Sequence, residues 1–75
     1  MSKILPRYAV GQNVIFYENS EGKEINGIIV SVALDESVSN VSMYYYNIEA
    51  TNKPYNDVSE GDIIKVVESL WFIMI

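Results

Sequence analysis

The sequence predicts a small all-β protein, a five-stranded barrel with one short helical turn before its last strand. Three observations lead there. Short runs dense in β-branched and aromatic residues recur along the chain, and clusters of Gly, Asn, Asp and Ser separate them. No stretch of ten residues repeats apolar positions at i, i+3, i+4 and i+7, so no amphipathic helix is expected. With 75 residues, the chain supports a single domain, because a chain of this size buries only about 60% of the surface it exposes when unfolded. No linker or repeat divides it. The domain is read as an arm over residues 1–7, a barrel over 8–69 and an apolar extension over 70–75.

The first strand is expected at Asn13–Glu18, with Val14 and Phe16 on one face and Ile15 and Tyr17 on the other. Asn19 to Glu24 reads as a hairpin loop, since its residues accept positive φ or bond to their own backbone. The second strand runs from Ile25 to Leu34, and Gly27 within it is read as a bulge or a sharp bend. After the polar loop Asp35 to Asn40, the third strand runs from Val41 to Ala50. The wetter residues Asn47 and Glu49 share a face with Tyr45, so Tyr46 and Ile48 are assigned to the core. A turn at Thr51 to Pro54 leads to a short edge strand, Tyr55 to Val58, where proline and charge are tolerated. Ser59-Glu60-Gly61-Asp62 spaces a serine and a carboxylate as a capping box does, but permits only one turn before the last strand, Ile63 to Val67.

This order resembles the SH3-like barrels of the Tudor-like type. Tyr8-Ala9-Val10-Gly11-Gln12-Asn13-Val14-Ile15-Phe16, Gly27-Ile28-Ile29, Tyr46-Asn47-Ile48 and Val58-Ser59-Glu60-Gly61-Asp62-Ile63 carry the resemblance. Tudor-like domains use aromatic rings and a carboxylate to hold a methylated lysine or arginine. The resemblance therefore implies Tyr17, Tyr45 and Tyr55 as an aromatic surface, with Asp57 or Glu49 as the acid. The alternative is that tyrosines alternate between core and sheet surface, as cross-strand pairing favours. The short acidic chain also looks like small proteins of phages and mobile elements.

Composition excludes several functions. Without cysteine there is no disulfide and no thiolate metal site, so packing or association must supply stability. Without histidine the commonest general base and metal ligand is missing. The chain is expected to be non-enzymatic, with no catalytic residue, metal or cofactor. Asp35-Glu36 is a carboxylate pair, but neither a calcium loop nor a glycine-rich phosphate loop accompanies it. Ten acidic residues against five basic ones give a formal charge of −5, which disfavours direct contact with nucleic acid. A basic protein partner is electrostatically compatible, and Glu21, Glu24, Asp35 and Glu36 form the candidate contact face of an acidic inhibitor of a nucleic-acid enzyme. The plainer reading of these acids is a solvated surface. No apolar run of signal-peptide length stands at Met1 to Arg7, so an intracellular location is expected.

The longest apolar run is Leu70-Trp71-Phe72-Ile73-Met74-Ile75, six residues where about 20 are needed to span a bilayer. No membrane association is expected. A barrel already completed by Ile63 to Ser69 has no interior room for these side chains. Either they pack on their own barrel, or they bury themselves in a partner, which can be a second copy of the chain. The function expected is a protein-interaction module acting as a homo-oligomer or assembly subunit through this segment.

Overall fold

The computed structural model describes residues 5–35, 43–51 and 53–67. They form five strands, β1 (Asn13–Glu18), β2 (Lys23–Asp35), β3 (Met43–Ala50), β4 (Pro54–Ser59) and β5 (Ile63–Val66), with a 3-10 turn at Glu60–Asp62 before the last. All pairings are antiparallel, in the order β4-β3-β2-β1-β5. The all-β class and the turn before the last strand are as the sequence predicts. The β2 strand begins two residues earlier than expected, because Lys23 and Glu24 pair with Glu18 and Tyr17. The hairpin loop is thereby shortened to Asn19–Gly22. Gly22 closes it at φ 66°, a conformation costly for a residue with a Cβ, and its N–H donates to the Glu18 carbonyl at 2.7 Å.

The expected closed barrel is corrected to an open, rolled sheet. Among the described residues no ladder joins β4 to β5, the two edges. Yet they are consecutive in sequence and separated by only the three-residue turn. In a flat sheet four strand spacings would hold the edges roughly 19 Å apart. The turn spans about 8 Å at the 3-10 rise. The sheet must therefore curl until its edges meet at one corner.

Rolling gives the sheet an inner face. Val14, Phe16, Ile29, Tyr46, Ile48, Val58 and Ile63 are buried there, so every strand contributes to one core. Tyr8, Ile25, Val32, Tyr44 and Tyr55 pack around them. The expected inward assignments of Tyr46 and Ile48, and the shared face of Val14 and Phe16, agree with this arrangement. Between Ile29 and Val32 the inward period is three residues instead of two, because the β2–β3 register shifts at Val30. This bulge lets one long strand serve β1 with its first half and β3 with its second.

A second bulge lies between β3 and β4, where Tyr46 pairs with Val58 but Ile48 with Tyr55. Asp57 adopts φ 59° there, a left-handed conformation that aspartate tolerates better than most residues. Asn47 lies between the two bulges and holds both. Its Nδ2 donates to Ser31 Oγ at 2.8 Å, and its Oδ1 accepts from the Asp57 N–H at 3.0 Å.

Gly27 is not the bulge expected of it. It pairs in regular register with Val14 and Ala50. A Cβ built there would lie 2.6 Å from Ile48 Cγ2 and 2.8 Å from the Glu49 carbonyl oxygen, so glycine is required by the close approach of β2 to β3. Gly27→Ala is expected to destabilise the fold by about 2 kcal/mol through overpacking against backbone. Gly61→Ala, whose Cβ would meet only Ser59 Oγ at 3.9 Å, is the control and should cost far less. Urea midpoints of the two variants check the difference.

Candidate functional site

The corner where the sheet edges meet is built on Tyr46. Its ring belongs to the core, and a buried tyrosine needs a partner for its hydroxyl. The hydroxyl donates to Glu60 Oε2 at 2.6 Å, and the same oxygen accepts the Arg7 N–H at 2.9 Å. Tyr8 sits edge-on to the Tyr46 ring, with centroids 5.7 Å apart. Glu60 thus ties the core, the 3-10 turn and the chain entering β1 together. Ser59 caps the turn by accepting the Gly61 N–H at 3.3 Å. Burial, reinforced by the bond to Glu60, pushes the Tyr46 hydroxyl up to about 12.

A second corner gathers side chains from the β1–β2 loop and β4. Glu21 Oε2 accepts from the Tyr55 hydroxyl at 2.9 Å and pairs with Lys53 Nζ at 2.9 Å, while Lys23 stands 3.8 Å from Oε1. Lys53 Nζ also lies 5.0 Å from the centre of the Tyr55 ring, whose other neighbour is Phe16, edge-on at 5.2 Å. The bond to Lys53, then that to Tyr55, lowers the Glu21 pKa; Glu21 in turn raises that of Lys53. Burial, then the bond to Glu21, raises Tyr55. This is an acid and an aromatic face holding a cation, and the cation is the chain's own Lys53. An open groove of about 690 Å³ runs beside it, lined by Glu21, Glu24, Ile25, Thr51 and Lys53 among others.

The three tyrosines named from the sequence occupy different places. Tyr55 lies over Phe16 on the inner side. Tyr17 is exposed and pairs with Glu24 on the outer face of β1 and β2. Tyr45, opposite Ala33 and Ser59, also faces outward from β3, and its hydroxyl reaches Met43 Sδ at 3.9 Å. The fold brings Tyr55 to Glu21 and does not bring Tyr17 or Tyr45 beside it. Tyr45 and Asp57 do line a common groove of about 350 Å³, with Asp35. Of the four acids proposed as a contact face, Glu21 is engaged by lysines, Glu24 is exposed, Asp35 ends β2, and Glu36 lies outside the described residues. Glu49, the other candidate acid, is exposed on the outer side of β3.

Leu70, Trp71, Phe72, Ile73, Met74 and Ile75 lie outside the described residues. The point from which the chain reaches them is described: the Val67 N–H donates to the Asn13 carbonyl at 2.7 Å, at the end of the β1–β5 ladder. Beside that point Asn13, Ile28, Val30 and Glu49 line a groove of about 340 Å³ on the outer face. Asn13 Oδ1 is buried there without a donor among the described residues. No helix among the described residues is long and apolar enough to cross a membrane.

Sequence alone pointed to none of Glu60, Asn47 or Lys53 as organising residues. The available signal was chemical: a core-facing tyrosine and an asparagine within one strand each require partners. Tyr46→Phe is expected to cost about 2 kcal/mol in urea denaturation at neutral pH, the scale of a hydrogen bond to a charged group. Because the folded pKa exceeds the ordinary value of 10.0, the stability linked to this proton is complete below pH 10 and is lost as pH rises through about 12. In the wild type stability should fall across that interval, and Tyr46→Phe should flatten the fall. No family model, no curated protein and no solved structure matches the chain.

Proposed function

We propose that this protein is a non-enzymatic interaction module that associates with itself, or with a larger assembly, through Leu70–Ile75. The observation that supports this most directly is the completeness of the inner core. All five strands fill it with seven buried side chains, and twelve described residues in total pack in or against it. Six further large apolar side chains require a surface outside that core, and association is the usual use of such a segment. The linear strand order and the turn before β5 also suit an SH3-like barrel of the Tudor-like type, a scaffold that hosts many binding functions. The acidic-inhibitor reading has less support, because Glu21 is matched internally by Lys53 and Lys23.

Light scattering on the full chain and on a chain truncated after Ser69 tests the proposal. The full chain should scatter as an oligomer and the truncated one as a folded monomer. A full chain that is monomeric at all concentrations defeats the reading.

A further inference from the structure

We propose that Asn26 is a site of covalent modification: its deamidation by the neighbouring Gly27 nitrogen is held off by the sheet, proceeds only when β2 opens, and through its isoaspartyl product keeps β2 from forming again. The inference does not depend on how the chain associates.

The chemistry belongs to the pair Asn26-Gly27. The Gly27 backbone nitrogen attacks the side-chain carbonyl carbon, Cγ, of Asn26. A bond forms between them, the Cγ–Nδ2 bond breaks, and the side-chain nitrogen leaves as ammonia with the proton given up by Gly27. Water then opens the five-membered imide. Cleavage at Cγ leaves an aspartate, whereas cleavage at the Asn26 main-chain carbonyl carbon leaves the backbone routed through Cβ and Cγ as an isoaspartate. The reaction needs only water. Glycine presents no side chain to obstruct the attack. Asn26 is exposed on β2, where it lines grooves of about 690 and 340 Å³.

Three features of the fold oppose the first step. Ring closure turns the Gly27 nitrogen back toward the Asn26 side chain, but an extended antiparallel strand, with ψ near about +135°, directs it away. That nitrogen is also engaged in the ladder. The Ile29 N–H donates to the Gln12 carbonyl at 3.0 Å, residues two apart on a strand direct their N–H groups to the same side, and Gly27 is paired with Val14. The Gly27 N–H therefore faces β1. Finally, Gly27 is buried between Val14 and Ala50, so closely that a Cβ would lie 2.6 Å from Ile48 Cγ2. The peptide has no room to swing. Asn19-Ser20, exposed in the hairpin loop, lies outside the ladders and serves as the internal comparison.

The position of the pair makes one of its products incompatible with the sheet. Gly27 and Ile28 are paired with β1 and β3 at once. An isoaspartate adds one backbone atom just before them, so Asn26 opposite Ile15 and Gly27 opposite Val14 can no longer be satisfied together. The aspartate product keeps the backbone and places its carboxylate at an exposed position.

The test incubates the full chain at mildly alkaline pH across a urea series, with the unfolded fraction read by circular dichroism and each asparagine followed by peptide mass mapping. Opening is fast relative to this slow chemistry, so a tenfold rise in unfolded fraction should give about a tenfold rise in Asn26 conversion. Conversion of Asn19 should change far less, and Asn26→Gln should abolish the signal at its own peptide. Conversion of Asn26 in buffer at the rate seen in full denaturant overturns protection by the sheet. Isoaspartyl chains separated by ion exchange are expected to stay unfolded after dilution from urea, while Asn26→Asp folds. Isoaspartyl chains that regain the wild-type spectrum, or an Asn26→Asp chain that also fails to fold, overturn the backbone argument.

Discussion

A three-residue turn joins strands that lie at opposite edges of the same sheet, and the rest of the fold follows from this constraint. A connection that short forces the sheet to roll, and rolling turns one of its faces into an enclosed core. At that corner the Tyr46 hydroxyl donates to Glu60, which anchors the turn on the core. Tyr46 belongs to β3, the ladder neighbour of β4, and Glu60 begins the turn that follows β4, so the contact ties the turn to the core beside that edge. The Arg7 N–H shares the same carboxylate oxygen, which fixes the approach to β1 as well.

Rolling also divides the labour between the two faces. The inner face is filled by large buried side chains. The outer face keeps β-branched residues at Ile28 and Val30 on the strand to which every central ladder refers. The Glu21–Lys53–Tyr55 corner contributes differently. It closes the hairpin loop onto β4 through charge and ring contacts that salt and acid weaken, since Glu21 must stay ionised to hold both partners.

Much of the fold was legible because alternation in a half-buried strand is a direct record of burial. The bounds of β1, the inward placement of Tyr46 and Ile48 and the single turn after Ser59 all follow from residue order. The bulges did not, because Val30 and Asp57 carry no glycine signal and the shift depends on the partner strand. Gly27 signalled a special position, but its cause, the proximity of Ile48 and the Glu49 carbonyl, is a tertiary fact. Whether the β4 and β5 edges pair is a tertiary fact, which alternation does not encode. At the candidate site, the tyrosines were visible as a cluster in sequence, while the opposite faces they occupy depend on strand pairing. Lys53 was overlooked because an exposed lysine in a turn is ordinary until Tyr55 and Glu21 are found on either side of it.

The β4 edge combines Pro54, which has no N–H to offer, with the left-handed Asp57 that breaks its ladder. A neighbouring strand cannot zip along such an edge, since its hydrogen-bonding groups are neither continuous nor flat. The Asn47 side chain holds the bulge in place by accepting the Asp57 N–H. One side of the sheet is therefore closed to strand addition, so the molecule cannot polymerise by repeating a single edge-to-edge contact. An amyloid-like fibre built on this edge would first have to break the hydrogen bond from the Asp57 N–H to Asn47.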